Sequence, residues 1–109
     1  MRLYIQCREN TTLLYITFNG HFMSDYANGR ITYRLDSDKA RTRSMQESSE
    51  NMALGLWRGG ASIPFIKGMF GHEKFLVRAT PHSESQVTAT FPIVGLEAAI
   101  EPLRKACHW

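Results

Sequence analysis

The stretch Pro81-His82-Ser83-Glu84-Ser85 places a base, two hydroxyls and a carboxylate in one short run. Those are the residue types of nucleophilic hydrolysis, in which a serine must hand its proton to a neighbouring base. Adjacent residues on a loop tip do not converge as that chemistry requires, however. No glycine elbow or oxyanion-hole sequence accompanies them. Turn residues bonding their own backbone are the better reading. The histidines His21, His72, His82 and His108 form no H-x₃-H pair. Apart from the adjacent Cys107-His108, none has a cysteine at ligand spacing. A structural zinc site would need four ligands gathered from scattered loops, so the sequence predicts neither a metal nor a cofactor. Asp36 and Asp38 flank a turn, and Glu97 and Glu101 share the wet face of a helix, so neither pair suits glycoside chemistry. The glycines of Trp57-Arg58-Gly59-Gly60 lack the lysine of a phosphate loop. No catalytic residue is assigned.

Two cysteines stand near the two ends of the chain. Cys7 follows Ile5 by two residues in a strand-like segment and shares its face. Cys107 continues the stripe Leu96, Ala99, Ile100, Leu103 of a helix-like segment. Two inward-facing cysteines on terminal elements can meet as a disulfide, because the termini of small domains often lie close together. Two separate buried thiols, each acting as a small hydrophobe, are the alternative. A bridge would close a loop of roughly 100 residues, worth up to about 4.7 kcal/mol in the chain-entropy model, and would imply an oxidising compartment such as the bacterial periplasm.

The elements that must position these residues are mostly strands. Arg30–Asp36 alternates cleanly, with Ile31, Tyr33 and Leu35 on one face and Arg30, Thr32 and Arg34 on the other. Residues 2–9, 13–20, 52–57, 74–81 and 86–93 also read as strands, and the polar run 40–48 as one edge-like strand. Asn10-Thr11-Thr12, Asn19-Gly20 and Asn28-Gly29 read as turns. A helix is predicted over 62–71, with Ser62 as cap, Pro64 in the first turn and Gly71 as stop. A second, C-terminal helix over 95–107 must kink or split at Pro102. About six strands with two late helices give an α+β fold, mainly antiparallel β, folded on itself as a small β-sandwich in one domain spanning residues 1–109.

The 109 residues are 43% hydrophobic, enough for one two-layer core, and the net charge of +3 is mild. A basic, aromatic face of Arg30, Arg34, Arg41, Arg43 and Arg78 with Tyr15 and Tyr33 could in principle hold nucleic acid. The acidic Asp36, Asp38 and Glu84 interleave with it, and the mild net charge argues against such a partner. No apolar run approaches the roughly 18–20 residues of a membrane helix. No leader precedes the first strand, so an exported protein would be represented here by its mature part.

Several quoted motifs carry a resemblance over nearly the whole chain, from Cys7 to Trp109. They are Cys7-Arg8-Glu9-Asn10, the strand end Thr32–Asp36, Arg78 with Thr80-Pro81, Thr88–Phe91, Gly95-Leu96 and Pro102-Leu103, closed by Cys107 and Trp109. The sequence resembles the VasI/TagO-like family of small exported proteins associated with bacterial type VI secretion. Met45 and Gln46 stand where the family carries a tryptophan-containing strand, and His108 replaces a glycine before the last tryptophan. The resemblance implies a periplasmic or otherwise exported accessory factor with a protein partner in the envelope, and no known catalyst. Packing accounts for Cys7, Phe91, Gly95, Leu103 and Cys107, with Trp109 a lid over the disulfide. It leaves the polar set Arg34, Asp36, Arg43, Arg78, Thr80 and Glu84. These form either a solvated ladder of cross-strand ion pairs, worth only tenths of a kcal/mol each, or a partner-binding surface. Two rival functions are an envelope hydrolase using His82 and Glu84, and a prophage- or envelope-associated inhibitor of a host protein or cell-wall component.

Overall fold

A computed structural model describes residues 1–18, 29–48, 53–79 and 86–109. Their elements, in chain order, are β1 (Arg2–Arg8), β2 (Thr11–Thr17), β3 (Arg30–Leu35), β4 (Arg41–Ser44), β5 (Gln46–Glu47), β6 (Ala53–Leu56), α1 (Gly59–Met69), β7 (Lys74–Ala79), β8 (Val87–Pro92), α2 (Leu96–Ala99) and α3 (Glu101–Ala106). The strands form two antiparallel four-stranded sheets, ordered β1-β2-β6-β5 and β4-β3-β7-β8. The fold is a small α+β structure dominated by antiparallel β, as the strand patterns predict. No helix among the described residues is long and apolar enough to cross a membrane.

Register explains which face each strand buries. Directly opposed residues of an antiparallel pair point to the same side. Leu14 opposes Leu56, and Ile16 opposes Leu54. Ile5 opposes Leu14, and Leu3 opposes Ile16. These side chains make the inner face of the first sheet. Phe75 opposes Leu35 and Val77 opposes Tyr33 across the second sheet, and Phe75 also opposes Phe91. The two inner faces meet in a core centred on Leu14, Ile16, Phe18, Ile31, Leu54, Phe75 and Val77, all buried. Helix α1 adds Ile66 and Met69 to it, and Phe65 of α1 sits edge-on to both Tyr33 (5.0 Å) and Phe75 (6.0 Å).

Three local expectations change. The first turn is Glu9-Asn10, both with positive φ (50° and 62°), the signature of a tight two-residue hairpin turn. Thr11 and Thr12 therefore belong to β2, where Thr12 lies opposite Cys7. The polar run 40–48 is not one strand. It breaks at the buried Met45, and its halves join different sheets, so the chain crosses the sandwich there. The predicted helix begins at Gly59, three residues before Ser62, and lacks a side-chain cap. Ser62 lies fully buried inside the helix instead, donating its hydroxyl to the Thr12 carbonyl at 2.6 Å. That tertiary bond and the burial of Ile66 and Met69 work against the poor helix propensity of Gly59-Gly60. Pro64, expected in the first turn, consequently lies inside α1. As expected, the C-terminal segment splits before Pro102 into α2 and α3, which puts that proline in the first turn of α3, where its missing N–H costs no helical bond.

The two ends are fastened together. Cys7 and Cys107 form a disulfide, 100 residues apart in sequence. Beside it, the Trp109 indole N–H donates to the Thr12 hydroxyl at 2.7 Å. Thr12 thus binds Trp109 through its side chain and Ser62 through its carbonyl. The guanidinium of Arg104 lies 4.9 Å from the centre of the Trp109 ring, and its Nη2 donates to the Trp109 carbonyl at 3.2 Å. His108 has φ +60°, the left-handed region that glycine enters freely and histidine tolerates.

Candidate functional site

The outward side chains of the second sheet follow from its pairing. Arg34 opposes Leu76 and Thr32 opposes Arg78, so the two arginines are diagonal neighbours, their backbones about 7–8 Å apart. Thr42 opposes Thr32 on one side, and Thr88 opposes Arg78 on the other. Arg34, Arg78, Thr42, Thr88 and Thr90 are all exposed. A depression of about 50 Å³ lies between the arginines, with Thr32, Ala40 and Leu76 in its lining. Among the described residues, neither guanidinium has a carboxylate partner. Of the two alternatives for this face, the ladder of ion pairs is not formed among the described residues.

Asp36, the carboxylate expected to serve that ladder, is already committed. Its backbone is left-handed, with φ 55°. Its Oδ1 accepts from the amides of Lys74 (2.9 Å) and Glu73 (3.0 Å), and its Oδ2 accepts from His72 Nδ1 at 2.9 Å. Its own amide donates to the Lys74 carbonyl at 3.0 Å. The Lys74 amide above all, aided by Glu73 and His72 against the opposing effect of desolvation, holds the Asp36 carboxyl below the usual carboxylate range. Asp36 therefore fixes the start of β7 and so the height at which Arg78 emerges. It positions the face instead of binding on it.

Arg43 does not join the set either. It opposes Ile31, so it shares the side of the sheet that carries the buried Ile31, away from Arg34 and Arg78. Thr80 and Glu84 lie outside the described residues, as do His21, His82 and the Pro81–Ser85 loop. The basic, aromatic nucleic-acid face is taken apart: Tyr33 points inward against Phe65 and Phe75, and Tyr15 lies on the other sheet.

A second constellation escaped the sequence reading. On the outer face of the first sheet, Tyr4 stacks on Tyr15 (centroids 4.7 Å apart) and Tyr15 on Trp57 (5.2 Å). Trp57 reaches Tyr15 by crossing over Gly55. A Cβ at position 55 would lie 2.8 Å from the indole Cζ2 and 2.7 Å from both the Tyr15 Cβ and the Leu14 carbonyl oxygen. The indole N–H is fixed by the Gln46 carbonyl at 2.9 Å. Trp57, Arg43, Arg58 and Gln46 line a cleft of about 270 Å³. The signal in the sequence was Gly55 between the apolar Leu54 and Leu56, a glycine inside a strand that marks close approach of a neighbour.

No curated protein and no solved structure matches this chain. The model of one protein family does, described as type VI secretion system VasI, EvfG, and the match runs over residues 1–109. With the whole length matched, the chain belongs to the VasI/EvfG family of type VI secretion proteins.

Proposed function

We propose that this chain is a non-enzymatic accessory domain of type VI secretion. It acts in the periplasm or another exported location and captures an envelope protein through Arg34 and Arg78. Family membership supports the link to the secretion apparatus. The Cys7–Cys107 disulfide supports a setting outside the reducing cytoplasm. The observation that carries the binding reading is the exposed sheet face itself. Two diagonal guanidiniums stand there without an acidic partner among the described residues, framed by short threonines that leave them accessible. Such a pair suits carboxylates on a partner surface, because guanidinium geometry matches a carboxylate with paired N–H donors. Rigid sheet backbone, with Asp36 holding the start of β7, keeps the spacing fixed before a partner arrives.

Pull-down from an envelope extract tests this reading. Arg34→Ala with Arg78→Ala is expected to leave the thermal midpoint within a few degrees of wild type and to abolish retention of the partner. Undiminished capture by the double variant would remove the face from consideration.

A further inference from the structure

We infer that the Trp57 cleft and the neighbouring edge of β4 form a second docking site, which takes an extended acidic segment of a protein partner. This site is separate from the Arg34–Arg78 face. The cleft lies where the chain crosses the sandwich at Met45, so it is bordered by the edge strands of both sheets: β4 ends one and β5 ends the other. Its chemistry is set by three side chains. Arg43, half-buried, comes from β4. Arg58 comes from the residue before α1. Trp57 is immobilised by its stack on Tyr15 and its bond to the Gln46 carbonyl. Among the described residues, no carboxylate pairs with Arg43 or Arg58.

Size and charge together select the occupant. Clefts for whole small-molecule ligands run from about 300 to 1,000 Å³; at about 270 Å³ this one accommodates a side chain or two. Beside it, the outer edge of β4 is unpaired among the described residues. An unpaired strand edge is a template for an added strand, with main-chain bonds giving affinity and alternate side chains giving specificity. Arg41 and Arg43 oppose Tyr33 and Ile31, so both project on the cleft side of β4. A segment with acidic residues at alternate positions would set carboxylates against both arginines. A second copy of this chain adding at the same edge would bring arginine against arginine, which like-charge repulsion disfavours. The edge thus discriminates: it rejects its own kind and accepts an acidic strand.

Fluorescence anisotropy on the oxidised full chain tests the site. The probes are three labelled hexapeptides: Thr-Glu-Val-Glu-Thr-Glu, its counterpart with every Glu replaced by Gln, and the acidic peptide with alternate backbone nitrogens methylated. The acidic peptide is expected to bind. The Gln and N-methylated peptides, and the variants Arg43→Gln and Arg58→Gln, should each weaken binding at least tenfold. Arg58→Gln guards the test against misfolding of the half-buried Arg43 variant, and near-ultraviolet circular dichroism checks both. Equal affinity for the Glu and Gln peptides overturns the inference. So does loss of binding only in the Arg34/Arg78 variant, which would place the acidic segment on the other face. Concentration-dependent dimerisation abolished by Arg43→Gln would overturn it as well, by assigning the edge to a second copy.

Discussion

At Asp36 a single carboxylate does the work of a short loop. It bonds two consecutive amides and an imidazole while its own backbone sits in the left-handed region. Because these donors favour the charged form, its carboxyl titrates lower in the folded chain than in the unfolded one. The unfolded state therefore binds the proton more readily, and acid destabilises the fold. The contribution is complete above the ordinary value of about 3.9 and is lost as pH falls from there through the lower folded value. Urea midpoints measured from pH 6 to pH 2 should decline through that window, and Asp36→Asn should flatten this part of the decline. An identical decline in the variant would mean that the three hydrogen bonds do not discriminate charge. The sequence could not show this role. The partners of Asp36 lie 36 to 38 residues away, and an aspartate beside Arg34 reads equally well as its ion-pair partner.

Elements with a strong period or a hard stop were legible, and those that depend on distant partners were not. The alternation of β3 announced its inner and outer faces, and with them the outward Arg34. Pro102 and Gly71 act through their own backbones, so the break before α3 and the end of α1 could be read directly. The run 40–48 has no apolar period, so nothing local announced that the chain changes sheets at Met45. The same change of sheet puts Arg43 on the cleft side, where the sequence had grouped it with Arg34. The cleft was hidden for a related reason. It exists because β6 carries a glycine where Trp57 must cross, and the side chains that meet there come from β4, β5 and the β6–α1 junction. Gly55→Ala tests that element-level fit. The added methyl group must displace Trp57 or the β2 backbone, at a cost of about 1–3 kcal/mol for an overpacked site. Near-ultraviolet circular dichroism should show the Tyr15–Trp57 stack disturbed. An unchanged spectrum and midpoint would show that the strand can yield.

For the whole molecule, the question of the two cysteines has a definite answer: they are joined. Strand register and helix periodicity had pointed both inward, and the docking of α3 beside β1 brings them together. Replacing Cys7 and Cys107 with alanine should lower unfolding stability by about 2–5 kcal/mol, read from urea midpoints under non-reducing conditions. The folded spectrum should persist, because Trp109 still bonds Thr12 and α3 still packs on β1. A loss below 1 kcal/mol would show that the unfolded chain already holds its ends together. The bridge also fixes how the molecule would bear load. Tension applied to the two ends runs along β1 as far as Cys7, crosses the sulphur–sulphur bond and leaves from Cys107, so it bypasses every strand but β1. The chain between the two cysteines, which are 100 apart in sequence, forms a closed ring that carries no force while oxidised. Reduction would put that whole length in series, releasing roughly 330–360 Å of chain once the fold gives way. The oxidation state of one bond thus separates a short link from an extensible one.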